Sequence, residues 1–116
     1  MRAQKIALAL AIAGVLLGAA HIALTPLAYA EWTIEALWFL GSGLAIVAAA
    51  VANVVGFQST GLRGRLSITA INLAMASFFA AAWLVLPEPQ VIVGGVLFLG
   101  LALCALAAQA TKAALP

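Results

Sequence analysis

WTIEALWFLGSGLAIVAAAVANVVGF, from Trp32 to Phe57, carries one charged residue, Glu35, in an otherwise uncharged and mostly apolar run. About 20 such residues are enough to cross a bilayer as a helix. At helical spacing one face collects Glu35, Trp38, Phe39, Ser42, Ala45, Ala49, Ala52, Asn53 and Gly56. The opposite face collects Leu37, Leu40, Leu44, Val47, Val51 and Val54. Apolar side chains gain little by leaving lipid for one another. Transmembrane helices therefore associate over small residues that allow close approach, and through hydrogen bonds between side chains. The small and polar face is expected to meet protein, and the branched face lipid.

The rest of the chain has the same character. Of 116 residues, 67% are hydrophobic and 7% charged, and the mean hydropathy is +1.25. Soluble domains carry about a quarter of their residues as charges, so this composition belongs to an integral membrane protein. The length admits four spans with short connections and leaves no room for a soluble domain. The net charge of +2 sits at helix ends, where it sets topology, and it does not indicate nucleic-acid binding. The single Cys104 has no partner for an internal disulfide. Inside an apolar run it is a small buried hydrophobe.

Working outward from the opening stretch, Ile6 to Leu24 forms an apolar run after Arg2 and Lys5. Ala28-Tyr29-Ala30 before Glu31 has the look of a signal-peptidase site, but the run is longer than a usual signal core and is read as a retained helix. Ala3, Ala7, Ala11, Gly14, Gly18 and His21 share one of its faces. Gly14 and Gly18 have the small-xxx-small spacing that brings helix backbones together. Pro26 is expected to end this helix, because proline disfavours helical geometry at the residue before it. Gln58 to Gly64 reads as a polar loop. A third helix carries Thr69, Asn72, Ala76, Phe79 and Trp83 on one face, Pro87-Glu88-Pro89 stops it, and a fourth contains Gly94, Gly95 and Gly100. The expected fold is all-α: one transmembrane domain over residues 1–116, a four-helix bundle of antiparallel up-down topology. Its helices are expected at about residues 3–24, 32–57, 65–86 and 90–111. Phe39-Leu40-Gly41 recurs as Phe98-Leu99-Gly100, a match too short in an Ala/Leu-rich chain to establish duplication.

In that arrangement Arg2, Lys5, Arg63, Arg65 and Lys112 fall at one end of the bundle, and Glu31, Glu35 and Glu88 at the other. The positive-inside rule then puts both termini on the cytoplasmic side of the inner (plasma) membrane. Tyr29, Trp32 and Trp83 mark the outer boundary as interfacial aromatics.

Two polar pairs stand out. His21 and Glu35 lie equally far from the centre of the first connection, near Ala28, so antiparallel helices bring them to one depth, roughly two turns inside. Ionisable groups at such depth are functional candidates. As an acid/base pair they suit proton transfer; as a bland alternative they fix hairpin register. Tyr29, Glu31, Trp38 and Trp83 complete a candidate ligand-binding set with acidic and aromatic character, a chemistry suited to a lipophilic cation or amine. Asn53 and Asn72 flank the second loop at comparable distances and read as a structural clamp between helices two and three. No cofactor motif and no metal site is expected: the chain has one histidine, no aspartate, and no Walker, dinucleotide or zincin pattern.

In size and four-helix pattern the chain resembles the small multidrug exporters. That family carries its essential glutamate in the middle of the first helix, and here the first helix holds no acid. Exporter chemistry is not carried over. Three classes of function remain. The first is a structural or accessory membrane protein, surrounded by membrane lipid and forming a homo-oligomer or part of a larger complex. The second is a binder or transporter of a small molecule with an outward-facing pocket. The third is an intramembrane enzyme using His21 and Glu35. A solvent-connected cavity lined by His21, Glu35 and Trp38 favours the second or third; a filled core favours the first.

Overall fold

A computed structural model describes residues 2–58 and 61–114. It contains four helices: α1 (Arg2–Ala28), α2 (Ile34–Gln58), α3 (Leu62–Trp83) and α4 (Pro89–Ala113). All four are long and apolar enough to cross a membrane. At about 1.5 Å per residue each exceeds the roughly 30 Å hydrocarbon thickness. Short connections join them, so neighbours run antiparallel. α1 packs most closely on α2 and α3 on α4; α1 also meets α4, and α2 meets α3 over a smaller area. The four-helix bundle is thus two tight hairpins laid together.

The α1–α2 seam is made by glycine. A Cβ at Gly18 would lie 2.7 Å from the Gly43 carbonyl oxygen and 2.9 Å from the Val47 nitrogen. A Cβ at Gly43 would meet the Gly18 carbonyl oxygen at 2.9 Å. Two backbones approach here at a distance that only glycine permits. Ala7, Ala11, Gly14 and Gly18 are all buried along α1, the face that the sequence singles out.

Three expectations need correction. First, Pro26 does not end α1, which continues to Ala28. The Thr25 hydroxyl donates to the His21 carbonyl at 2.8 Å, and the Tyr29 N–H donates to Thr25 O at 3.1 Å. Proline is tolerated in this last turn because it removes one donor and the chain leaves the helix just beyond it. Second, the inward face of α2 is rotated from the expected one. Ala36, Gly43, Ile46, Ala49, Ala50, Asn53 and Gly56 are buried, whereas Trp38 is 72% exposed and Ala45 is exposed. Val47, placed with lipid by its size, instead touches the glycine seam. Third, α3 begins at Leu62 and ends at Trp83, about one turn earlier than expected at both ends. Of the expected loop, Ser59 and Thr60 lie outside the described residues.

Starts of helices follow local chemistry. Thr33 caps α2, its Oγ1 accepting from the Ala36 N–H at 3.2 Å. Pro89 opens α4 directly after Glu88, at a position where its missing N–H costs nothing. Between the hairpins the core is filled by Ile46, Phe79, Val91, Phe98 and Leu101, with Ala7, Ala11 and Ala49 around them. Phe79 and Phe98 stack with ring centroids 6.0 Å apart.

Candidate functional site

At the acidic end a cavity of about 310 Å³ lies between the two hairpins and draws lining residues from all four helices. His21 comes from α1 and Tyr29 from the connection after it. Glu35, Trp38, Phe39 and Ser42 come from α2, Phe78 and Phe79 from α3, and Gln90 from the first turn of α4. Ile46, Phe79 and Val91, each at most 6% exposed, form its floor. Below them lie Phe98 and Leu101, fully buried.

His21 is held in one orientation. Its Nδ1 lies 3.0 Å from the Leu17 carbonyl oxygen. A carbonyl only accepts, so Nδ1 carries the proton and Nε2 is the nitrogen left to a ligand. The ring face stacks on Phe39, with centroids 4.7 Å apart and planes at 25°. Tyr29 also meets Phe39, at 5.7 Å and tilted by 56°. Phe39 is therefore the centre of an aromatic triplet, and it is Phe39 that α2 presents to the His21 ring. Ser42 is spent locally: its hydroxyl donates to the Phe39 carbonyl at 2.8 Å. Glu35, in the first turn of α2, is exposed at the mouth. Among the described residues lining the cavity, Glu35 supplies the one carboxylate, and none is Lys or Arg.

The structure thus lines one cavity with His21, Tyr29, Glu35 and Trp38, but it does not bring His21 and Glu35 to one depth as expected. His21 is level with Phe39 and Gly43, whereas Glu35 lies in the first turn of α2, nearer the connection. Glu31 lines a separate cavity of about 280 Å³ over the first connection, shared with Tyr29 and Trp32. Trp83 lines an apolar groove between α3 and α4. Phe39, Phe78 and Gln90 are lining residues that sequence reasoning did not assign to a site. Phe39 shares a helical face with Glu35 and Ser42, which was the available signal. Phe78 and Gln90 enter only through the packing of the second hairpin on the first.

At the other end Asn53 and Asn72 form the polar centre of the bundle. Each Nδ2 donates to the partner's Oδ1 at 2.7 Å, and Asn53 Nδ2 also donates to the Ala49 carbonyl at 2.8 Å. Nearby, Arg65 Nη1 donates to Ala108 O at 2.8 Å, and Gln109 Nε2 donates to Thr69 Oγ1 at 3.0 Å, tying α3 to α4. Among the described residues no group of three His, Cys, Asp or Glu side chains is placed to hold a metal ion.

No protein-family model, curated protein or solved structure matches this chain.

Proposed function

We propose that this small multi-pass membrane protein lies in the inner membrane with both termini in the cytoplasm, and binds a lipophilic cation or amine at the acidic end of its bundle. The observation that carries the reading is the cavity with one carboxylate at its mouth, aromatic walls and, among the described residues, no lysine or arginine in its lining. An ammonium group is attracted to Glu35 and to the face of Trp38, an attraction that strengthens as water is excluded. A neutral amine can also donate to His21 Nε2. The apolar body then rests on Phe78 and Phe79. The volume of about 310 Å³ is near the lower limit for ligand pockets, which fits a small ligand or the head of one whose tail stays in lipid. The packed floor favours binding over an open passage.

The experiment uses Trp38 as a reporter. In protein carrying Trp32→Phe and Trp83→Phe, reconstituted in nanodiscs, phenyltrimethylammonium is expected to alter Trp38 fluorescence at lower concentration than its neutral isostere tert-butylbenzene. Glu35→Gln should abolish that preference. Equal response to both probes, or an unchanged preference in Glu35→Gln, rejects the reading.

A second reading, a self-associating or accessory protein, is favoured by the groove of about 470 Å³ along α3 and α4, where Ala76, Ala80 and Gly95 leave a shallow apolar surface. Cross-linking through a cysteine at Ala80, in protein carrying Cys104→Ala, tests it. Absence of a dimer in nanodiscs at high protein-to-lipid ratio rules it out for copies of this chain.

A further inference from the structure

The basic end of the bundle has a cleft of its own, separate from the cavity described above. It lies between the first turns of α1 and the last turns of α2, with a volume of about 290 Å³. Its rim carries Gln4, Lys5 and Gln58, all exposed. Its walls are apolar: Leu8, Ala11, Val54 and Phe57. Asn53 reaches its inner wall, but that amide is fully buried and committed to Asn72 and Ala49. Gln4 Nε2 donates to the Phe57 carbonyl at 3.4 Å across the rim, so the two helices meet at the cleft through a long polar contact.

We propose that this cleft binds an anionic phospholipid, with its phosphate on Lys5 and the amides of Gln4 and Gln58, and the start of an acyl chain along Leu8, Val54 and Phe57. Charge complementarity selects this occupant. Arg2, Lys5, Arg63, Arg65 and Lys112 all belong to this end, whereas the three glutamates belong to the other. Arg65 is directed to Ala108 O, and among the described residues no carboxylate lines the cleft or stands at this end to pair with Lys5. Its position one turn into α1 puts its ammonium at headgroup depth, since lysine extends its charge to the interface while its stem stays with lipid. A polar rim over an apolar trough that opens along the helices matches a molecule with a charged head and a hydrocarbon tail. Basic pockets between transmembrane helices are an established mode of headgroup recognition.

Native mass spectrometry of the full chain, released from detergent with added phosphatidylglycerol or phosphatidylcholine, tests the proposal. Phosphatidylglycerol is expected to remain bound preferentially. Lys5→Gln should lower that preference about fivefold, the value of one cation near an anionic lipid surface. Lys5→Arg should retain it, and Lys112→Gln, at the same end but outside the cleft, should leave it unchanged. Equal retention of the two lipids overturns the proposal. So does an equal loss in Lys5→Gln and Lys112→Gln, which would mean diffuse attraction to the whole basic end. Because Lys5 is exposed, its substitution leaves the packed core intact, and circular dichroism of each variant verifies the fold.

Discussion

Asn53 and Asn72 exchange two hydrogen bonds of 2.7 Å, amide to amide, with both side chains fully buried between α2 and α3. These two helices share a smaller interface than α1 and α4 do, and the pair is its buried hydrogen-bonded contact between side chains. Replacing Asn72 with Leu leaves the Asn53 carbonyl oxygen without its donor, at a cost of about 1–3 kcal/mol. Asn53→Leu with Asn72→Leu removes both amides and should recover part of that loss. A double-mutant cycle on thermal unfolding in detergent is expected to give a coupling of about 0.6–1.7 kcal/mol. Strictly additive losses would show that the amides act independently.

Gly18 and Gly43 provide a sharper test of packing. Because the obstacle to a Cβ at Gly18 is backbone, the Gly43 oxygen at 2.7 Å and the Val47 nitrogen at 2.9 Å, no rotamer change relieves it. Gly18→Ala should destabilise by about 1–3 kcal/mol through forced separation of α1 and α2. Gly41→Ala is the control: a Cβ there meets nothing within 4 Å, and the better helix propensity of alanine predicts a neutral or slightly stabilised protein. Thermal melts of the two variants should move in opposite directions or differ by several degrees.

The contrast between these glycines explains which parts of the fold were legible in the sequence. Gly14 and Gly18 stand in α1 among larger residues, and their spacing identifies the buried face. In α2 the run around Ala45, Ala48, Ala49, Ala50 and Ala52 is small on almost every side, so residue size does not select a face. The helix turns Gly43, Ile46 and Ala50 inward by fitting Gly43 against Gly18, a choice made by the partner helix. The asparagine pair was legible because both residues lie at similar distances from one loop. The cavity was legible in part. His21, Tyr29, Glu35 and Trp38 were candidates from their chemistry, but a gap exists only where the hairpins fail to touch, and Phe78 and Gln90 enter it from the second hairpin.

The sidedness of the bundle gives a third prediction. With Cys104 replaced by alanine, single cysteines at Glu31 and Glu88 in intact cells should react with a membrane-impermeant maleimide, and one at Ser59 should react only after permeabilisation. The basis is the segregation of five cations from three carboxylates along helices that alternate in direction. Labelling of position 59 from outside would invert the orientation and with it the leaflet facing Lys5.

Gly94 connects the core to the cavity, and substitution there should change binding without touching a polar group. A Cβ at Gly94 would overlap the ring of Phe79. A Cβ on α4 pushes the ring away from that helix, where it also stacks on Phe98, toward the cavity and the α3–α4 groove, both of which it lines. Gly94→Ala should therefore cost about 1–3 kcal/mol of stability as an overpacked core does, and should also reduce the volume available to a ligand. Gly95→Ala is the matched control, since a Cβ there would sit at an ordinary 3.5 Å from Phe79 Cβ. In the Trp38 fluorescence titration Gly94→Ala is expected to weaken phenyltrimethylammonium binding, and Gly95→Ala to leave it nearly unchanged. Adding Phe79→Leu to Gly94→Ala removes the displaced ring and should recover part of the binding, the remainder being lost with the surface that Phe79 offers the ligand. If Gly94→Ala binds the probe as the parent does while its melting temperature falls, the ligand does not occupy the space above Phe79.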